Sequence, residues 1–181
     1  MYTRNLLWLV SLVSAAPLYA ADVPANTPLA PQQVFRYNNH SDPGTLDPQK
    51  VEENTAAQIV LDLFEGLVWM DGEGQVQPAQ AERWEILDGG KRYIFHLRSG
   101  LQWSDGQPLT AEDFVLGWQR AVDPKTASPF AGYLAQAHIN NAAAIVAGKA
   151  DVTSLGVKAT DDRTLEVTLE QPVPWFTTML A

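Results

Sequence analysis

The chain of 181 residues has no cysteine. Disulfides, thiolate metal sites and thiol nucleophiles are therefore excluded. Histidine is scarce too: His40, His96 and His138 lie far apart, without H-x-x-x-H or any other ligand spacing, so no metal site is expected. Basic residues are few, 12 Lys and Arg against 21 Asp and Glu, for a net charge of −9. Neither nucleic acid nor an anionic membrane surface offers counter-charge to such a chain. A membrane-spanning run is missing: the apolar stretch at 6–13 has eight residues, one of them Ser11, where a bilayer needs ~20. Enzyme signatures are also lacking. No G-x-S-x-G occurs, and Ser104 in W-S-D-G has no nucleophile elbow. Gly72-x-Gly74 lacks the third glycine of a dinucleotide fingerprint. Glu112 and Asp113 are helix neighbours pointing about 100° apart, so they cannot face one substrate atom together; acids in a first turn complement the helix dipole. No enzyme activity and no cofactor are expected.

What remains suits a soluble globular chain, with 46% hydrophobic and 18% charged residues. The N-terminus has the form of a secretory signal: Arg4, the apolar 6–13 stretch, then Pro17 and Ala20 before a cut after Ala20. Leu18 is larger than the small residue usual at its position, and a buried N-terminal helix is the other reading. Residues 21–32 hold three prolines and read as a flexible lead-in.

From there the pattern alternates between strands and helices. Residues 34–38 alternate as a strand. Asn54 is placed to cap a helix carrying Ala56, Ile59, Val60, Leu63, Phe64 and Leu67, with Gly66 at its C-cap. Two hairpins follow, 67–70 with 75–77 and 84–87 with 92–97. Ser104-Asp105-Gly106 is turn chemistry. Thr110 and Asp113 form a capping box for a helix with Phe114, Val115, Trp118, Ala121 and Val122 on one face, and Asp123-Pro124 stops it. A short helix at 130–136, another at 142–147 capped by Asn140 or Asn141, and a hairpin at 157–159 with 164–169 complete the pattern. Residues 175–181 read as the start of a helix. Trp84, Trp103 and Trp118 are expected in the core. Antiparallel hairpins interleaved with helices make the fold α+β.

Residues 95–115 read F-H-L-R-x-G-x-x-W-S-D-G-x-P-x-T-A-x-D-F-V. They resemble the signature of the periplasmic peptide-binding proteins of ATP-binding-cassette importers, the family 5 solute-binding proteins for oligopeptides, murein peptides and dipeptides. Further matches follow in order: L-D-P-Q-K-V-E at 46–52, D-L-F-E-G-L at 62–67, W-Q-R-A-V-D-P-K-T-A-S-P at 118–129, H-I-N-N at 138–141, L-G-V-K-A at 155–159, D-D-R-T-L-E-V-T-L at 161–169 and P-V-P at 172–174. The resemblance covers nearly everything after about residue 33.

It implies an N-terminal part of a longer, three-domain binding protein of the α/β periplasmic type with an extra domain (class II cluster). Residues 1–20 are then a signal peptide, 21–65 the first segment of the main ligand-binding lobe, and 66–181 the small extra domain. Candidate ligand residues lie in loops at strand ends: Asn38, Asn39 and the 46–54 stretch, including Glu52 and Asn54. In the family an acid at the position of Glu52 lies by the ligand, though Glu52 reads equally well as an exposed acid at a helix start. After S-P, oligopeptide binders carry a tyrosine whose hydroxyl reaches the ligand. This chain has Phe130 there, which keeps the apolar body, drops the hydrogen bond and favours a more apolar solute. The implied protein is a monomer of the Gram-negative periplasm that presents a peptide or amphipathic organic solute to an inner-membrane ABC permease. The alternative from another class is an exported, chaperone-like interaction protein with an apolar groove.

Overall fold

The computed structural model describes residues 27–28, 31–32 and 34–181. The signal-peptide reading of residues 1–20 lies outside them. The chain divides into two units, 1–38 and 39–181. In the first, residues 34–38 form no strand. Val34 and Phe35 are 62% and 88% exposed, and the Phe35 and Tyr37 rings stack at 6.1 Å. The expected strand fails because alternation supplies propensity, not a partner, and a strand needs its backbone groups paired.

The second unit is built on a four-stranded antiparallel sheet. Its strands are β3 (Ala81–Leu87), β4 (Arg92–Leu97), β5 (Val157–Asp161) and β6 (Thr164–Thr168), in the order β3-β4-β6-β5. Alternation along β4 buries Tyr93, Phe95 and Leu97 and turns Arg92, Ile94 and His96 to the other face. Register places Tyr93 opposite Val167 and Phe95 opposite Leu165. Burying side chains of this size is worth about 1.5–3 kcal/mol each. The reverse face carries charge. Lys158 meets Glu166 at 2.9 Å, Arg92 meets Asp88 at 2.7 Å and His96 meets Glu85 at 2.8 Å.

Helix α2 (Ala111–Val122) packs on β5 and β6 through Ala111, Val115 and Val122. It starts as expected, with the Thr110 backbone N–H donating to Asp113 Oδ2 at 2.7 Å, and it ends before Asp123-Pro124. The short helices α3 (Ala131–Gln136) and α4 (Ala142–Val146) pack against each other and against α2. A small hairpin, β1 (Val68–Met70) with β2 (Val76–Pro78), forms a separate two-stranded sheet and buries Val68 in the same core. Helix α1 (Asn54–Leu63) precedes it.

Several local expectations are corrected. Asn54 does not cap α1: it is the first helical residue, the N-cap is Glu53, and the Glu53 carboxylate accepts the Gly44 N–H instead. Asn141 is the N-cap of α4 without a side-chain cap bond, because its Nδ2 donates to Ser154 O at 2.8 Å. Helix α1 ends at Phe64, whose extended backbone leaves the helix two residues before Gly66. Gly66 serves a close approach, since a Cβ there would lie 3.2 Å from Leu180 O. Trp103 is 41% exposed. It sits on a tight turn, Trp103 N–H to Gln107 O at 2.8 Å, that stands off the core, while Leu101 packs inward. Trp84 and Trp118 are partly buried against the core. Residues 175–177 form turns, followed by a 3-10 turn at Thr178–Leu180. Phe176 is fully buried, its ring 4.7 Å from Tyr93.

Candidate ligand-binding site

Leu46-Asp47-Pro48 makes a local turn. Asp47 Oδ1 accepts the Gln49 N–H at 3.1 Å, and Asp47 O accepts the Lys50 N–H at 2.9 Å. The same carboxylate meets the last turns of α2. Arg120 Nη2 donates to Asp47 Oδ2 at 2.6 Å, and Arg120 Nη1 to Asp47 Oδ1 at 3.0 Å and to Gln49 Oε1 at 2.6 Å. Gln49 then donates from Nε2 to Gly117 O at 2.6 Å, and its own carbonyl accepts from Ser128 Oγ at 2.7 Å. One loop is thus clasped to two elements. Two parallel bonds from a guanidinium to a carboxylate are the stronger form of such a pair. The Arg120 hydrogen bonds hold the Asp47 carboxyl below its usual range against partial desolvation, and Asp47 raises Arg120 in return. With side chains 48% and 25% exposed, the pair itself is worth only about 0–1 kcal/mol.

Beside the clasp opens a notch of about 300 Å³. Pro48 and Gln49 line it from the loop, Ala121 and Ser128 from the α2 end, and Phe130, Tyr133 and Leu134 from α3 and its cap. Its walls are mainly apolar. Phe130 is half exposed, and its N–H donates to Ser128 Oγ at 3.2 Å. Tyr133 is fixed by its hydroxyl, which donates to Met179 O at 2.8 Å. An apolar hollow with few polar groups at its rim suits the apolar part of an organic solute.

The sequence candidates fall unevenly around it. Phe130 lines the notch. Glu52 is exposed and follows the buried Val51, at the end of the clasped loop. Asn54 is exposed at the start of α1. Asn39 is tied locally, Nδ2 to Ser41 O at 3.1 Å. Asn38 belongs to the other unit and is exposed there. Asp47 and Gln49 fall within the candidate 46–54 stretch, whereas Arg120, Ser128 and Tyr133 are not among the sequence candidates. The only trace of the clasp is that L-D-P-Q-K and W-Q-R each hold half of an ion pair, 73 residues apart.

Another hollow, about 350 Å³, opens at one end of the sheet between Glu82, Arg83, His96 and residues 161–164. Its charged groups serve the fold. Arg163 donates from Nε and Nη2 to Leu97 O at 2.9 and 2.7 Å and lies 3.4 Å from Glu82, while Arg83 pairs with Glu85.

Comparison with known proteins decides the family. Residues 75–181 match the model for bacterial extracellular solute-binding proteins, family 5 middle. The chain belongs to this family. It is 51% identical over 172 residues to the periplasmic oligopeptide-binding protein OppA of Salmonella typhimurium, an alignment covering 95% of this chain and 32% of that protein. It is 46% identical to the periplasmic murein peptide-binding protein MppA of Escherichia coli, over 96% of this chain and 32% of that one. The chain thus spans about a third of the length of the curated relatives it matches. Among solved structures, the E. coli murein tripeptide-binding protein superposes with a TM-score of 0.74 at 47% identity, covering 77% of this chain and 27% of that one. Haemophilus influenzae OppA in complex with RPPGFSPFR gives 0.75 at 43% identity, over 79% and 28%. The α+β fold of a periplasmic binding protein with only part of its length, expected from the sequence, agrees with these superpositions.

Proposed function

We propose that this chain supplies part of a periplasmic solute-binding protein of an ABC importer, one that captures an oligopeptide or another amphipathic organic solute. The observation that carries this reading is a family 5 chain whose apolar notch is lined by Phe130. The relatives named above are binding proteins for oligopeptides and murein peptides. Residues 1–20 direct export, and the mature chain acts as a monomer in a Gram-negative periplasm. Residues 21–65 contribute to the main lobe and 66–181 to the extra domain. The inner-membrane permease receives the solute. No bond is made or broken: the solute biases an equilibrium between open and closed lobes.

At the notch, Phe130 packs against the apolar body of the solute; Glu52, at the end of the clasped loop, stands near a cationic or hydroxyl-bearing part of it, with Asn39 and Asn54 contributing polar contacts. The test is Phe130→Tyr in the full-length protein. Phe130 is 50% exposed, so an added hydroxyl meets water in the free molecule and stability stays within about 0.5 kcal/mol. On binding, a hydroxyl without a partner costs ~1–3 kcal/mol. Calorimetric titration with a peptide mixture and with amphipathic non-peptide solutes is expected to show weaker binding of the native solute class, or a shift toward peptides. Tight peptide binding unaffected by changes at Phe130 and Glu52 would exclude both positions from the site.

A further inference from the structure

We infer that Arg120 is a positioning residue that sets the width of the notch and thereby its side-chain selectivity; this rests on the solute-binding reading above. The notch has two walls from different parts of the chain, Pro48 and Gln49 on one side and Phe130, Tyr133 and Leu134 on the other. Where the first wall stands depends on the clasp. Arg120 joins Asp47 and Gln49 at once, with three bonds of 2.6 to 3.0 Å. Gln49 extends the clasp to Gly117 O and Ser128 Oγ. Freed from Arg120, the loop keeps its internal Asp47 turn and the Gln49 bonds to Gly117 O and Ser128 Oγ, but loses all three bonds that hold the Asp47 carboxylate and the Gln49 amide oxygen to the end of α2.

Arg120 has little to do for the core. Its side chain is 48% exposed, and α2 is anchored through Ala111, Val115 and Val122. Removing the guanidinium opens no buried cavity. A lysine cannot replace it. An ammonium is a compact point charge, whereas this site needs a planar fork reaching two carboxylate oxygens and an amide oxygen together.

The experiment compares wild type, Arg120→Ala and Arg120→Lys in the full-length protein by calorimetric titration with the tripeptides Ala-X-Ala, X being alanine, leucine or phenylalanine. For Arg120→Ala, affinity for the leucine and phenylalanine peptides is expected to fall at least about tenfold, affinity for the alanine peptide much less, and Arg120→Lys is expected not to restore the preference. The melting midpoint of the unliganded protein should move by no more than about 2–4 °C. An equal loss on all three peptides with a large drop in melting midpoint would make Arg120 merely structural. Unchanged affinities, or full rescue by lysine, would also overturn the inference. A wild type that binds none of the three peptides overturns it too; the solute-binding reading then stands if the amphipathic solutes bind and falls if they do not.

Discussion

Phe95 is the position at which the packing scheme is most exposed to disproof. It sits at 0% exposure on β4, opposite Leu165 on β6 and Trp84 on β3, with the Tyr93 ring 6.3 Å away. Phe95→Ala empties a site walled on every side, for which the usual loss is ~3–5 kcal/mol. That is a large part of the ~5–15 kcal/mol of a typical domain. Trp118 is larger but only partly buried, at the margin of the same core. Its truncation removes packing on one side and leaves no closed cavity, so a loss of ~1.5–3 kcal/mol is expected from area alone. The order is therefore Phe95→Ala worse than Trp118→Ala, against what side-chain size suggests. Urea denaturation of the 181-residue chain, followed by far-ultraviolet circular dichroism with the slope checked for equality between variants, measures both. A Trp118→Ala loss equal to or above that of Phe95→Ala would refute the assignment of the core to the β4–β6 seam.

Two other perturbations test separate parts of the structure. A Cβ on Gly156 would lie 2.6 Å from Asn140 Cβ and 2.7 Å from Thr168 O, so Gly156→Ala should cost ~1–3 kcal/mol through overpacking. Gly72→Ala, where nothing lies within 4 Å, should be near neutral; equal melting curves for the two variants would disprove the crowding at Gly156. Asp47 should titrate below the usual 3.8 because Arg120 donates to its carboxylate. The stabilisation it contributes is present above the unfolded-state value and lost as pH falls through the lower folded-state value. A carbon-13 titration should show that midpoint rising in Arg120→Ala, and an unchanged midpoint would mean that the pair does not persist in solution.

Much of the local structure was legible because it is local chemistry. The Thr110–Asp113 box, the Asp123-Pro124 stop and the turns at 71–75, 88–91 and 161–163 sit where turn and cap residues put them. What depends on a partner was not. Residues 34–38 alternate like a strand, yet no strand among the described residues pairs with them. The apolar character of Trp103 points it inward, but a five-residue turn lifts it off the core. Strand β3 begins at Ala81, three residues before the apolar stretch that suggested it, because pairing with β4 extends past the alternating segment. Of the notch, Phe130 is visible through the family motif after S-P, whereas Glu52 is exposed at the end of the clasped loop and is not part of the lining. The clasp between Asp47 and Arg120 is not visible, since a single sequence carries no sign that a turn and a distant helix end will meet.

The strand order has a consequence for how the chain comes off the ribosome. Strand β4 pairs with β3, its immediate predecessor, and with β6, which is made roughly 70 residues later. At about 5–20 residues per second, one edge of β4 waits for several seconds with Tyr93, Phe95 and Leu97 uncovered. Closing so long a loop adds little to the free energy of folding, since the entropy grows only with the logarithm of length, but it delays the central seam. The β3–β4 hairpin can pair as soon as it is made, and the sheet is completed only when the hairpin at 157–168 arrives. Until then that edge of β4 is an unpaired strand edge, open to pairing with a neighbour.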